Sequence, residues 1–370
     1  MNKPILKNEK NNFISVVIIF CYLLGLCCSD IILIPIKIKE EKMIIGVFKE
    51  TKYQETRVAI SPNVVTKYKS LGLEVMVETS AGVLSGWNDD DYIKNGALVI
   101  KNRNDIYKHA DIIVKIWAPT EQEYKKLQSG QCIIANFENN IDCKTLSQIG
   151  VRAFALENVP RISRAQNIDI LSSQSNLAGY KAALTAMNML NRVVPMMITS
   201  SGTIKPVRAF IVGLGVAGLQ ALATLKRMGA IVYTSDTRKE TKEETTSLGG
   251  RFIEVDKQTE ILRNTDILIT TVAPQGKPAP LLFTKKDLEQ MPPNSVIIDM
   301  SCKNIEGKGL RKDITLVQNM FFASEIANSA SQLFSENIYN FIKENGGADF
   351  KINFDDEIIK SMCLCDGFNK

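Results

Sequence analysis

One thirty-residue stretch restricts this chain more than any other. From Val207 to Asp236 an apolar run, Ala209 to Val212, passes directly into Gly213-x-Gly215-x-x-Gly218. A segment of helical period follows, and then a second apolar run that ends at Asp236. Strand, glycine turn, helix and second strand in this order form a βαβ unit with a dinucleotide fingerprint. Gly213 permits the tight turn, Gly215 lets the backbone approach a pyrophosphate, and Gly218 lets helix and strand pack closely. The helix N-terminus offers free N–H groups and its dipole to phosphates. Asp236, eighteen positions after Gly218, is placed to accept the ribose hydroxyls of an adenosine, favouring NAD over a 2′-phosphorylated cofactor. Arg238 weakens that preference. The expected cofactor-binding set is Gly213, Gly215, Val216, Ala217, Gly218, Asp236, Thr237, Arg238 and Thr271.

A chain of 370 residues with 45% hydrophobic content is long enough for two cores. The net charge of +5 and the lack of a basic stripe interleaved with aromatics speak against a nucleic-acid partner. The eight cysteines form no pair of CxxC motifs at zinc spacing, so no metal site is expected, and Cys363-x-Cys365 reads as a pair of buried or frayed thiols. This cysteine usage reads as that of a cytosolic, reduced protein.

Residues 1–42 differ from the rest. Lys3, Lys7 and Lys10 precede an apolar run, Phe13 to Leu26, in the manner of a signal peptide or short anchor. Met43 already begins a strand-like run, so a dispensable extension is preferred over a working anchor. From Met43 strands and helices alternate. Strands are expected at 43–48, 73–77, 110–116, 132–137 and 150–156, with helices opening at Ser61-Pro62, capped by Ser61, and at Asp89-Asp90-Asp91, and another over 120–127. Successive βα units imply parallel sheets. The fold class is α/β, two Rossmann-like domains with parallel sheets joined by long helices. The expected boundaries are 43–171 for a first α/β domain, 172–200 for a connecting helix, 201–323 for the dinucleotide domain, and 324–370 for a helix and tail returning to the first domain. The helical part of the connection is placed at Asn176 to Asn191. In the second domain strands are expected at 251–255, 266–270 and 295–299, after the two of the fingerprint unit. The last helix, Ser324 to Glu344, carries Ile326, Ala330, Leu333, Phe334, Ile338, Phe341 and Ile342 on one apolar face.

Acid–base chemistry is scarce. His109 is the only histidine and reads as a surface residue. Cys302 has no paired base and reads as an ordinary buried thiol. A dehydrogenase acting on an alcohol or amine needs a group to take the substrate proton. Transfer of hydride directly between two nicotinamides does not.

Six segments carry a resemblance across nearly all of both domains: Gly46–Thr51, Glu55–Ala59, Pro160–Gln166, Ser172–Tyr180, the fingerprint itself, and Gly276–Pro280. On them the chain resembles the NAD(H)-binding first domain of the proton-translocating NAD(P) transhydrogenases, which are related to the alanine dehydrogenases. The resemblance implies that Arg161, Gln166, Asp169 and Ser172 hold the nicotinamide end, with Gln166 also reaching the partner's nucleotide. Ser172 also reads as a plain helix N-cap. The resemblance further implies NADP(H) on a partner subunit, a transhydrogenase membrane subunit (the second portion of alpha) and a beta subunit as partners, a homodimer, and a cytoplasmic position at the inner membrane. The alternative is an alanine dehydrogenase-like enzyme, and a third reading is a non-catalytic NAD-binding subunit. The substrate arginine of an alanine dehydrogenase would match Arg57, but its lysine falls at Trp117 and its histidine near Asn136 to Asn140, where there is none. Family members carry a longer lid-bearing insertion where this chain has only Asp256 to Thr265, which implies weaker cofactor retention or faster release.

Overall fold

The computed structural model describes residues 42–138, 141–274 and 277–368. The expected extension at 1–42 therefore lies, apart from Lys42, outside the described residues. Lys42–Lys370 is one compact unit by its internal contacts.

The first series runs β1 (Ile44–Val47), α1 (Pro62–Ser70), β2 (Glu74–Glu78), α2 (Asp89–Lys94), β3 (Leu98–Ile100), α3 (Arg103–His109) and β4 (Ile112–Trp117). It continues with α4 (Glu121–Tyr124), β5 (Cys132–Asn136), α5 (Cys143–Ile149) and β6 (Arg152–Ala155). A 3-10 segment, Ser163–Ile168, leads into the twenty-residue α6 (Ile170–Met189). A hairpin of β7 (Met197–Thr199) and β8 (Gly202–Ile204) precedes the second series. That series is β9 (Arg208–Val212), α7 (Val216–Arg227), β10 (Ile231–Ser235), α8 (Thr241–Ser247), β11 (Arg251–Phe252), α9 (Gln258–Leu262), β12 (Ile267–Thr270), α10 (Lys285–Leu288), β13 (Val296–Asp299) and β14 (Thr315–Gln318). The chain closes with α11 (Ala327–Glu344), α12 (Glu357–Met362) and β15 (Cys363–Asp366).

The first sheet has the order β15-β6-β5-β4-β1-β2-β3 and the second β11-β10-β9-β12-β13-β14. Both are doubly wound. The chain starts in mid-sheet, winds to one edge, then returns to the other side of its first strand. The central strands are buried on both faces, which is why Ile112–Ile116 and Ile267–Thr270 read as near-continuous apolar runs without alternation.

Several expectations are corrected in detail. Ser61 stands at the N-cap of α1, but its side chain makes no capping bond. Its N–H instead donates to Ser335 Oγ on α11 at 2.7 Å. The helix expected over 120–127 is a single short turn, closed by a capping box between Thr120 and Glu123. The connecting helix begins at Ile170, six residues ahead of expectation, because Asp169 caps it. Strands β3, β14 and β15, the hairpin and α3 have no counterpart among the expected elements. β15 pairs antiparallel with β6, so the first sheet is parallel except at that edge. Leu333 is exposed, while Ala330, Phe334, Ile338, Phe341 and Ile342 are buried as the apolar face requires. His109 is exposed, with Nδ1 2.8 Å from Asp105 O. Cys302 is only half-buried and has φ +59.

Beneath β1 and β4 lies a buried charge cluster. Lys115 Nζ is 3.2 Å from Glu123 Oε1 and 3.9 Å from Glu50 Oε2. Arg103 Nη2 and Tyr107 OH also donate to Glu123 Oε1, at 2.8 and 2.9 Å. Glu50 accepts the Ile116 N–H at 2.7 Å. Burial raises the Glu50 carboxyl from 4.5 to about 7, against the opposing pull of Lys115. The folded state therefore holds a proton that the unfolded chain releases near 4.5, so stability declines as pH rises from about 4.5 to about 7. Glu50→Gln keeps the acceptor for Ile116 but cannot ionise. Urea midpoints of this variant are expected to lack the Glu50 share of the decline between pH 5 and 7. An identical decline in both proteins would contradict the assignment.

Candidate functional site

The fingerprint lies where the second sheet reverses direction. Ala209–Val212 are buried, and the chain leaves β9 at Gly213 with φ +93. A β-carbon on Gly218 would lie 1.9 Å from Gly213 O, and one on Gly213 would lie 2.8 Å from Thr271 Oγ1. Both positions therefore exclude any larger residue. Around Gly215 a β-carbon would meet nothing within 4 Å. Gly215 is the N-cap of α7 and supplies no side-chain cap. The helix thus presents its first N–H groups to open space, an arrangement that fits a pyrophosphate. Thr271 closes the other side, its hydroxyl donating to Gly213 O at 2.9 Å. Val216 is exposed, Ala217 half-buried and Thr237 exposed.

Asp236 stands just past β10, as the spacing requires, but its carboxylate is already occupied. Oδ2 accepts the Leu214 N–H at 2.7 Å and Arg238 Nη2 at 3.1 Å. Oδ1 accepts the Arg238 N–H at 2.9 Å and Nε at 3.1 Å. Burial opposes ionisation, but the Arg238 hydrogen bonds outweigh it and hold the Asp236 carboxyl below its ordinary value. With roughly four lone-pair directions on a carboxylate, ribose hydroxyls would have to take over positions Arg238 now fills. The Arg238 side chain is 52% exposed and is also held by Leu214 O, which accepts from Nη2 at 2.9 Å, so it would have to leave both partners. The short 256–265 connection also reaches this corner, where Gln258 Nε2 donates to Ser235 Oγ at 2.8 Å.

The polar loop before α6 divides into two pairs. Asp169 and Ser172 are joined, with Asp169 accepting the Ser172 N–H at 2.9 Å and its hydroxyl at 2.6 Å. Asp169 is thus the N-cap, and Ser172 belongs to the first helical turn. Arg161 and Gln166 are exposed. Among the described residues, neither side chain has a hydrogen-bond or ion-pair partner. Their neighbours pin the loop. Arg164 makes a two-bond ion pair with Asp356 at 2.6 and 2.8 Å, and Asn167 O accepts from Asn337 Nδ2 at 2.7 Å.

Sequence reasoning missed the residue that couples this loop to the fingerprint. Gly179, in the middle of α6, meets the first turn of α7 so closely that a β-carbon would lie 2.0 Å from Ala217 O. Ala182, Ala183 and Ala186 continue the contact against Ala221, Leu222 and Leu225. The small-residue spacing of α6 was the signal. Asn304 was also missed. Fully buried, it donates to Val272 O and Pro280 O at 2.9 and 2.8 Å and holds the segment after Thr271 in place. The segment's Gln275 and Gly276 lie outside the described residues.

The corresponding reversal of the first sheet, between β1 and β4, is filled by the protein's own side chains. Arg57 donates through Nε and Nη2 to the two oxygens of Glu55, at 2.8 and 2.6 Å, and through Nη1 to Gln174 at 2.8 Å. Trp117 Nε1 and Ser324 Oγ donate to the same carboxylate at 2.7 and 3.0 Å. Lys52 Nζ lies 3.4 Å from the centre of the Trp117 ring and 2.7 Å from Glu138. Burial would raise the Glu55 carboxyl, but Arg57 overrides it and holds it below its ordinary value. Among the described residues no cluster of His, Cys, Asp or Glu could hold a metal ion, and no helix is long and apolar enough to cross a membrane.

Gly179→Ala tests the helix contact. The obstructing atom is a backbone oxygen, which no side-chain rotation can move aside. The expected cost is about 1–3 kcal/mol, typical of overpacking, read as a lower urea midpoint. An unchanged midpoint would refute the close contact.

Two family models match the chain: the alanine dehydrogenase/PNT N-terminal domain over residues 46–178, and the C-terminal domain over residues 182–367. The chain is 37% identical to the first portion of the split NAD(P) transhydrogenase alpha subunit of Rhodospirillum rubrum, over 87% of this chain and 96% of that protein. The structure of a transhydrogenase from Sinorhizobium meliloti superposes with a TM-score of 0.82 at 38% identity, covering 88% of this chain and 99% of that one. Alanine dehydrogenase of Bacillus subtilis is 29% identical over 70% of each chain. The chain therefore belongs to the alanine dehydrogenase/PNT family, and within it is more similar to these transhydrogenases than to that alanine dehydrogenase.

Proposed function

We propose that this chain is the NAD(H)-binding component of a proton-translocating NAD(P) transhydrogenase, a Re/Si-specific oxidoreductase that exchanges hydride with NADP(H) held on a partner subunit. The observation that carries the reading is the contrast between the two sheet reversals: one is open, with an uncapped helix N-terminus at Gly215, and the other is plugged by Arg57, Glu55 and Trp117. An amino-acid substrate needs a free arginine and a proton acceptor. Here Arg57 is engaged and Trp117 stands where that acceptor would be.

The residues at the open site fit NAD(H). When bound, the nicotinamide supplies or receives the hydride. The α7 N-terminus binds the pyrophosphate, Gly213 and Gly218 keep the turn tight enough for its approach, and Asp236 takes the adenosine ribose. Asp169 and Ser172 orient the nicotinamide ribose and carboxamide. Arg161 and Gln166, exposed and without partners among the described residues, hold the same end of the cofactor, and Gln166 also reaches the partner's nucleotide. No proton changes hands at this chain, so its residues contribute position and exclusion of water rather than acid–base steps. Proton translocation then belongs to a membrane subunit (the second portion of alpha) and a beta subunit, with this component peripheral on the cytoplasmic face of the inner membrane.

A homodimer is included in the proposal, supported by the β7–β8 hairpin. Met197 and Ile204 pair on one face of the hairpin and Ile198, at 74% exposure, stands on the other, so the hairpin presents exposed apolar side chains on both faces, of the kind that a second subunit covers. Ile198→Asp is expected to convert a dimer to a monomer in light scattering without changing circular dichroism. A monomeric parent would overturn the dimer.

Hydride exchange is tested by mixing the purified chain with an NADP(H)-binding partner domain and following an NADP analogue as it takes hydride from NADH. Folded protein that gives no exchange would sink the enzyme reading. Asp236→Ala is expected to weaken NADH binding by about 10- to 100-fold, the loss of hydrogen bonds to a charged acceptor, in calorimetric titration. Unaltered affinity would remove Asp236 from the site.

A further inference from the structure

The C-terminal strand closes one edge of the first sheet. β15 is an edge strand that runs antiparallel to β6, and its ladder shifts register between Cys363 and Cys365. Arg152 Nε bonds Asp366 Oδ1 at 2.8 Å, and Gly367 N–H donates to Val151 O at 3.1 Å. On one face of this strand lies α5, whose first residue is Cys143.

Cys143 and Cys365 belong to the same apolar cluster, with Phe137, Leu146 and Val151 around them. The Cys143 thiol donates to Leu364 O at 3.3 Å, the carbonyl next to Cys365 in the chain. The two cysteines are therefore neighbours across the α5–β15 contact. Cys363 faces the other way and packs with Cys132 in the core on the opposite side of the sheet. Among the described cysteines, this leaves Cys143 and Cys365 as a matched pair on one face.

We propose that Cys143 and Cys365 are a modification site: a thiol pair that takes up a disulfide from a small-molecule disulfide of the glutathione class and fastens the C-terminal strand to α5. Cys143 is half-buried and Cys365 buried, so the oxidant meets Cys143 first. Burial also pushes the Cys365 thiol up to about 12, leaving it a poor first nucleophile. The Cys143 thiolate attacks one sulfur of the oxidant and expels the other as a thiolate, which takes the proton that Cys143 released. Cys365 then loses its proton and attacks the Cys143 sulfur of the mixed disulfide, expelling the second small thiolate. Two protein thiols become one disulfide, and the small disulfide is reduced to two thiols. The closed loop runs from residue 143 to residue 365 and encloses the whole second sheet, so the link restricts the unfolded chain and the terminal strand together.

The test treats the full chain with oxidised glutathione, blocks remaining thiols with an alkylating agent, and maps disulfides by peptide mass spectrometry without reduction. A Cys143–Cys365 cross-linked peptide is expected, absent from Cys143→Ser and Cys365→Ser and reversed by dithiothreitol. Amide exchange across residues 363–368 is expected to slow by about tenfold or more in the oxidised protein, while Cys143→Ser keeps the reduced rate. Circular dichroism of Cys143→Ser, at a partly exposed position, confirms that the comparison is made on folded protein. Full alkylation of both thiols after oxidation would overturn the pairing. So would a cross-link from Cys143 to any other cysteine, or a Cys143–Cys365 link that leaves exchange of the terminal strand unchanged.

Discussion

The contact of Gly179 with Ala217 is the constraint on which the rest depends. Two helices approach until a backbone carbonyl occupies the space where a side chain would begin. Such proximity is open only to glycine at 179, and alanines along α6 let the remaining turns follow. One helix carries Asp169 and Ser172 at its N-terminus, and the other carries Gly215 at its own. Packing α6 against α7 therefore fixes the polar loop relative to the fingerprint with no flexible linker between them. The proposed site, which would grip one long ligand near both ends, needs that rigidity. The hydrogen bonds of Arg164 and Asn167 to the C-terminal segment secure the same loop from its other side.

The two sheets share a winding, and each offers a crevice where the strand order reverses. The chain treats them oppositely. At the second sheet glycines clear the space, and the helix N-terminus is left without a side-chain cap. At the first sheet side chains fill it: Arg57 lies against Glu55, Trp117 caps the carboxylate, and Lys52 covers the indole ring. The buried cluster of Lys115, Glu50 and Glu123 sits just behind. Burying so many charges is costly unless they are paired, and pairing fixes each side chain to its neighbour. The first sheet thereby becomes a rigid support rather than a second small-molecule site.

Much of this was legible in the sequence, and what was not has physical reasons. The βαβ unit could be read because the positions of Gly213, Gly215, Gly218 and Asp236 are set by local backbone geometry, which leaves a mark at fixed spacing. The central strands could be read from their apolar runs. Strand β15 could not, since Cys363–Asp366 is short and owes its pairing to β6, more than two hundred positions earlier. The start of α6 is hard to place because Ser172 resembles a cap, whereas Asp169 reaches both its N–H and its hydroxyl. The occupation of Asp236 was only partly legible. Arg238 is two positions away and plain in the sequence, but the bond from Leu214 N–H depends on how the glycine turn folds back over β10. Composition hinted at Gly179 without saying which helix it would face.

The chemistry proposed for the site explains why so little catalytic machinery is needed. A hydride passing between two nicotinamides leaves no proton to be removed, so no residue must titrate near neutrality at the site. At the cofactor turn, the carboxyl that shifts does so downward: Asp236 is held ionised by Arg238 and Leu214, which suits a fixed acceptor rather than a proton carrier. The carboxyl pushed toward neutrality, Glu50, lies behind the first sheet, enclosed with Lys115. Titration and cofactor binding are thereby separated within the fold. A site that only binds and aligns can keep its charges constant over the range in which its support changes protonation, and in that range its selectivity rests on shape: the glycine turn, the helix end and the loop that Gly179 holds beside them.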